Sequence, residues 1–300
     1  MKILVVGHFA VDIIHGKKDQ VARRSGGIFN TVSALSALLG ENDRVIPVFG
    51  VGEEEKEGVV KECVNLGNVD SAGIFQLGTP TPQVHYVPGQ QTAQCSIDIA
   101  PPIPYDRIKR FLNVDAVLVN MTSGQDLTVD TLDQLRLDIR PKRTPLLFDY
   151  HNLTLGINEK KERIRRPVEY WRRWVFMTDY VQLNEEELRG LAQEKMSEGQ
   201  TVNHLLTLGT KAIIVTRGPK GASLFTSEHK KTLRMDVDGI AANGNNDTVG
   251  VGDTFGAAFL VQAVKSGDLQ EATRFANAVA ARRVASGKVQ AVPASVGIDS

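Results

Sequence analysis

The sequence predicts an α/β fold: a doubly wound, mostly parallel sheet with helices on both faces, plus a small β sheet acting as a lid. Continuous apolar runs of strand length, Ile3–Val6, Val45–Phe49, Ala116–Val119, Pro145–Phe148, Tyr180–Leu183 and Ala212–Thr216, have the character of parallel strands covered on both faces. Between them lie longer amphipathic stretches, among them Phe29–Leu39, Glu53–Leu66, Val129–Leu137 and Glu185–Gln193, and strand–helix alternation of this kind defines a doubly wound domain. The lid is predicted from strands that have no helix between them. Val11–Ile14 is one; Gln83–Val87 and Ala93–Ile99, separated by Pro88-Gly89, read as a hairpin with one solvated face. So few strands do not stand alone. They are expected to form a small sheet, from about residues 10–25 and 83–99, over the open edge of a single domain spanning 1–300.

With 300 residues, 42% of them hydrophobic, the chain can bury one large core. Its 35 Lys and Arg balance 35 Asp and Glu, so nothing draws it electrostatically to nucleic acid or an anionic membrane, and neither partner is expected. Cys63 and Cys95 stand far apart, which excludes a zinc ribbon or a Cys-x-x-Cys redox site and fits a reducing cytoplasm. The opening MKILVVGHFAVD is too short an apolar run for a signal peptide or a membrane span and reads as a buried first strand. The lid's exposed sheet edge would suit a homodimer. The basic stretch 159–174 reads as a solvated helix anchored by Trp171 and Trp174; the competing reading is a basic surface for a phosphorylated ligand.

The chemistry is concentrated in D-T-V-G-V-G-D-T-F-G, Asp247 to Gly256, running into the apolar AAFLVQAV. A glycine-rich turn entering a helix leaves the N–H groups of Gly250, Val251 and Gly252 free beside the positive end of the helix dipole, an arrangement that binds anions. Asp253 falls in the first helical turn, where the same dipole favours its ionised form. A carboxylate beside an anion cradle is what phosphoryl transfer to an alcohol requires. A dinucleotide fingerprint would need glycine where Phe255 stands and should follow the first strand, and no G-x-x-x-x-G-K-[ST] loop occurs. An ordinary capped helix start remains the bland alternative.

D-T-V-G-V-G-D resembles the D-T-x-G-A-G-D signature of the ribokinase-type (PfkB) sugar and nucleoside kinases, with Val251 replacing the usual Ala. The resemblance implies that Asp253 is the catalytic base and the 250–252 turn the anion hole. Asn184 to Glu187 resembles the family's N-x-x-E motif, implying Mg2+ at Asn184 and Glu187, although Asn followed by Glu is also a common helix cap. V-T-R-G-P-K-G-A, residues 215–222, resembles the family's turn along the nucleotide, making Thr216, Gly218 and Gly221 candidates for binding ATP; a plain hairpin turn would use the same residues. The small-residue segment Phe275–Ala281 resembles the helix beside the adenine and adds Asn277. Near the N-terminus, Gly7 and Asp12 match a G-x-x-x-x-D pattern whose Asp holds substrate hydroxyls. Gly26-Gly27-Ile28-Phe29-Asn30 resembles a G-G-x-x-x-N turn one residue short, and assigns Gly26, Gly27 and Asn30 to the substrate.

The resemblance runs from Met1 to about Pro293 and implies a cytoplasmic, ATP- and Mg2+-dependent kinase acting on a hydroxyl of a small sugar, sugar acid or nucleoside. A polar loop, Ala241–Asn246, stands where the family keeps an apolar strand, next to Asp247 and the monovalent-cation site the family would place there. Gln94 and Ser96 are further candidates for substrate contact from the lid. A phosphorylated substrate would call for basic residues, for which Arg107, Lys109 and the 159–174 stretch are the candidates. The alternatives are a nucleoside kinase of identical chemistry, a nucleotide- or sugar-binding regulator without catalysis, and an oxidoreductase. The intact Asp253 argues against the regulator, and the missing fingerprint against the oxidoreductase.

Overall fold

The computed structural model describes residues 1–16, 20–86, 95–176, 178–191, 196–241 and 248–286; Gln94 and Asp247 lie outside them. The chain opens with β1 (Lys2–Val6), β2 (Phe9–His15) and β3 (Val21–Gly27), then α1 (Ile28–Leu38), β4 (Arg44–Val51) and α2 (Glu53–Asn65). Short strands β5 (Ile74–Gln76), β6 (Gln83–Tyr86) and β7 (Cys95–Ile97) lead to α3 (Tyr105–Ile108), β8 (Ala116–Asn120), α4 (Val129–Ile139) and β9 (Leu146–Asp149). Next come β10 (Leu155–Ile157), β11 (Arg163–Arg165), α5 (Trp171–Val175), β12 (Tyr180–Asn184), α6 (Glu185–Leu191) and α7 (Glu198–Thr207). The antiparallel β13 (Ala212–Thr216), β14 (Gly221–Glu228) and β15 (Lys231–Asp238) precede the long helices α8 (Val251–Ser266) and α9 (Leu269–Ser286).

Nine strands form the main sheet in the order β15-β14-β13-β12-β9-β8-β1-β4-β5. From β13 to β5 every neighbouring pair is parallel. The apolar runs are continuous because successive side chains feed two different cores. Ile3 and Val5 of β1, Ala116 and Leu118 of β8, and Ala212 and Ile214 of β13 pack against α1, α8 and α9. Leu4 and Val6, Val117 and Val119, and Ile213 and Val215 pack on the opposite face with α4 and α7. The same parity turns Asn120, Asp149 and Gln182, near the carboxyl ends of β8, β9 and β12, toward the α8 side.

A second sheet, β3-β2-β6-β7, stands apart from the first. It is mixed: β2 pairs antiparallel with β3 and parallel with β6, and β6 antiparallel with β7. The β10–β11 ribbon reaches its outer strand, where Ser96 N–H donates to the Lys161 carbonyl at 3.1 Å and Cys95 bridges to Glu162.

The 159–174 stretch is not a solvated helix. Residues 163–165 are the second strand of the ribbon and the helix is confined to Trp171–Val175, where both tryptophans are buried. Pro167 and the left-handed Tyr170 separate the two, since proline disfavours helix in the residue before it. Arg107 and Lys109 are remote from the cleft described below: Arg107 stacks 4.7 Å over the Phe75 ring, and Lys109 pairs with Asp106 at 2.6 Å.

Candidate active site

A cleft of about 740 Å³ runs between the carboxyl ends of the main sheet, the second sheet, the β10–β11 ribbon and the N-terminus of α8. Of the residues singled out from sequence, Asp12, Gly27, Asn30, Asn184, Glu187, Thr216, Gly218, Gly221, Gly250, Val251, Gly252, Asp253 and Asn277 line it. Gly26 lies just behind, paired with Ala10 across the second sheet; a Cβ there would stand 2.2 Å from Asp12 Oδ1. Only glycine lets β3 pass the buried carboxyl so closely.

At the centre, Gly250 caps α8 with φ of 80°, a left-handed conformation suited to glycine. The chain then enters the helix, with Asp253 buried in its first turn. Asn120 Nδ2 donates to Asp253 Oδ1 at 2.6 Å, and the Thr31 hydroxyl donates to the same oxygen at 3.3 Å. Oδ2 has no protein partner among the described residues. The N–H groups of Gly250 and Gly252 likewise find no backbone acceptor among those residues, while that of Val251 is taken by the Thr248 carbonyl at 3.3 Å. Gln182 ties the turn down, its Nε2 donating to the Gly252 carbonyl at 3.0 Å and to Asp149 Oδ2 at 3.1 Å.

Asp149 is buried, and burial, with the Glu187 and Asp253 carboxyls near it, raises its pKa well above the ordinary carboxylate value. Burial likewise pushes Glu187 up to about 8. Both Glu187 oxygens accept from Asn184, from its N–H at 2.8 Å and its Nδ2 at 2.7 Å, while Asn184 Oδ1 accepts from the N–H groups of Glu186 and Glu187. The helix-cap reading of this motif therefore holds, and its two candidate metal ligands engage each other. A further candidate set adjoins them: one ligand atom each from Asp149, His151 and Asp253 lies within 4.8 Å of the others. These carboxyls gathered at one end, the charge of Asp149 and Glu187 disfavoured by burial, fit a divalent cation, whose charge would offset that cost.

The other end holds Asp12 on β2. Burial outweighs the Arg24 guanidinium, whose Nε stands 3.5 Å from Oδ2, and pushes the carboxyl up to about 6. His8 and Ser123 form its wall, fixed by Asp126, whose carboxylate accepts from His8 N–H at 2.6 Å, Thr122 Oγ1 at 2.8 Å, and Ser123 N–H, Ser123 Oγ and Gly124 N–H at 3.0 Å each. At the far side, Thr216 ends β13 and Gly221 begins β14, so this segment is both a hairpin turn and part of the cleft wall. Asn277 Nδ2 donates to the Asp238 carbonyl at 2.9 Å, joining α9 to the end of β15.

Sequence reading missed Asn120, Gln182 and Asp126, and gave Asp149 no role. Asn120, Asp149 and Gln182 each interrupt an apolar strand at its carboxyl end, a signal that acquires meaning only once the strands are known to be neighbours.

Residues 162–295 match the family described as pfkB family carbohydrate kinase. Fructokinase-2 of Oryza sativa subsp. japonica is 32% identical over 123 residues, 39% of this chain and 34% of that protein. Ribokinase of Arabidopsis thaliana is 37% identical over 106 residues, 34% of this chain and 27% of that protein. The matched stretches thus span about a third of these relatives or less. Whole-chain similarity is structural. A ribokinase from Thermotoga maritima superposes with a TM-score of 0.70 at 20% identity over 96% of this chain and 94% of that one. A pyrophosphate-dependent kinase of the ribokinase family, complexed with a pyrophosphate analog and myo-inositol, gives 0.73 at 19% identity, covering 97% and 96%. The fold is thus that of the ribokinase-type kinases, and the match to the pfkB carbohydrate kinase family covers the C-terminal part, residues 162–295.

Proposed function

We propose that this protein is an ATP-dependent kinase that transfers the γ-phosphoryl group to a hydroxyl of a small sugar or sugar-like acceptor. The observation that carries the reading is the state of Asp253: buried at the start of α8, with Oδ1 held by Asn120 and Thr31 and Oδ2 left for a ligand. In this reading the acceptor hydroxyl gives its proton to Oδ2 as its oxygen bonds to phosphorus and the bond from phosphorus to the leaving diphosphate breaks. The Asn120 and Thr31 hydrogen bonds keep the carboxylate aimed. The N–H groups of Gly250 and Gly252, without a backbone acceptor among the described residues and at the positive end of the α8 dipole, stabilise charge on the phosphoryl in flight.

Asp12 orients the acceptor, with Gly27 and Asn30 beside it. The nucleotide lies along Thr216, Gly218, Gly221 and Asn277. Mg2+ would be held by Asn184 and Glu187 with Asp149 nearby, and when bound it neutralises phosphate charge.

The test is ADP release with Mg-ATP across neutral sugars, sugar acids, sugar phosphates and nucleosides, run beside Asp253→Asn. The variant is expected to fold normally and to lose turnover by about 100-fold or more, as removal of a general base does. Retention of most activity would remove Asp253 from the base role. Nucleotide binding without turnover on any acceptor would favour a binding protein over an enzyme.

A further inference from the structure

We infer that Arg163 makes the acceptor end of this cleft selective for sugars carrying an anionic substituent, a carboxylate or a phosphate. The inference rests on the kinase reading and deepens it by naming the acceptor's class.

The first observation is an inside-out strand. Successive residues of a strand point to opposite faces, and a surface ribbon ordinarily turns its apolar residue inward. In Arg163-Ile164-Arg165 the two arginines line the cleft, while Ile164 is 44% exposed to solvent. The second observation is how each cation is committed. Arg165 is spent on protein: one terminal nitrogen donates to Thr154 Oγ1 at 2.7 Å and the other to Glu186 Oε2 at 2.6 Å. Arg163 uses only Nε, which donates to Ser96 Oγ at 2.9 Å; its two terminal nitrogens have no protein acceptor among the described residues. Ser96 belongs to β7 and is itself buried, so this single bond fixes the guanidinium against the second sheet and leaves its fork open.

Among the described residues Asp12 and Asp126 favour its charge from nearby, but neither hydrogen-bonds it and both are committed elsewhere. Asp12 is paired with Arg24, and Asp126 is saturated by the five donors described above. A neutral sugar would leave a desolvated guanidinium fork unsatisfied. A carboxylate or phosphate meets it with two parallel charge-assisted hydrogen bonds, the geometry for which arginine is suited.

The experiment measures kcat/KM for a neutral sugar, the matching sugar acid and the matching sugar phosphate, with wild type, Arg163→Ala and Arg163→Lys. Calorimetric titration of the same three acceptors without nucleotide runs in parallel. The wild type is expected to prefer one of the anionic acceptors, and which one identifies carboxylate or phosphate. Arg163→Ala should lose about 10- to 100-fold more on that acceptor than on the neutral sugar, the range for a charged hydrogen bond. Arg163→Lys should restore part of the loss, keeping the charge without the fork. Equal losses on charged and neutral acceptors, or a wild type that prefers the neutral sugar, overturn the inference. If no acceptor is phosphorylated, the kinase reading fails by itself; calorimetry then decides about Arg163, and failure of the anionic sugars to bind better than the neutral one refutes it.

Discussion

Replacing Asp12 by Asn should stabilise the protein in the absence of ligand while weakening its hold on the acceptor. Asp12 is 1% exposed, and burial lifts its pKa from 3.8 to about 6 despite Arg24. The folded state therefore holds the Asp12 proton more tightly than the unfolded chain. Stability falls as pH rises from 3.8 toward 6, and the full penalty applies above 6. At 1.36 kcal/mol per pKa unit the displacement amounts to about 3 kcal/mol at pH 8 and about half of that at pH 5. Asparagine has nearly the same shape, carries no charge to desolvate, and leaves the part-exposed Arg24 in contact with water. For a chain of this length the unfolding entropy near the midpoint makes those differences about 5 °C and about 2.5 °C in melting temperature.

The assay is a pair of melting curves, wild type and Asp12→Asn, recorded from pH 5 to pH 8 without substrate or nucleotide. The variant should melt higher, by a gap that widens with pH. In the wild type, kcat/KM for the acceptor should rise as pH passes about 6, where Asp12 becomes the charged hydrogen-bond acceptor. A variant that melts at or below wild type at pH 8, or a gap that does not grow with pH, refutes the claim that burial of the Asp12 carboxylate outweighs its pairing with Arg24.

Glu187→Gln should raise the Mg2+ concentration giving half-maximal activity by about 10-fold or more, since a carboxylate ligand is lost. The exposed neighbour substitution Glu186→Gln should change it little, and equal Mg2+ titrations for the two would count against a metal role for Glu187. Gly26→Ala places a Cβ 2.2 Å from Asp12 Oδ1, so the carboxyl must swing away. Acceptor KM should rise by about 10-fold and stability should fall by about 1–3 kcal/mol, as overpacking does; unchanged kinetics would show that the Asp12 carboxyl does not touch the acceptor.

Much of the fold was legible because parallel strands covered on both faces write themselves as unbroken apolar runs. The strand at 116–120 was found this way, and the helix at 53–65 from the amphipathic stretch between strands, each to within a residue. The glycine turn before α8 was legible for a different reason: its chemistry is local, confined to the segment from Gly250 to Asp253. What escaped is non-local. Asn120 reads as the polar end of an apolar strand until β8 is placed beside β9 and under α8, where its amide meets Asp253, 133 positions away in sequence. Arg163 lay within the 159–174 stretch offered for a phosphorylated substrate, but nothing in the composition singled it out. A basic run is usually a solvated face, and three residues of strand are too few for their inverted alternation to stand out among the charges on either side.

The cleft divides its work between two bodies with different packing. Asp253, Asn120, Asp149 and Gln182 sit on α8 and on the carboxyl ends of central strands of the nine-stranded sheet, backed by the two large cores. A carboxylate held in such a place keeps its aim whichever acceptor arrives. Asp12, Ser96 and Arg163 come instead from β2, β7 and the β10–β11 ribbon, elements of the second sheet or resting on its edge. Changes there alter what is bound without disturbing the groups that would move the proton. If the proposed chemistry holds, substitutions on the second sheet and ribbon should appear mainly in the acceptor KM, and those at Asp253 and Asn120 mainly in kcat, because in that mechanism only the latter make interactions that strengthen as the phosphoryl group moves. The reverse pattern, with Arg163→Ala lowering kcat at saturating acceptor while Asn120→Ala raises only KM, would mean that chemistry and recognition are assigned to the wrong sheets.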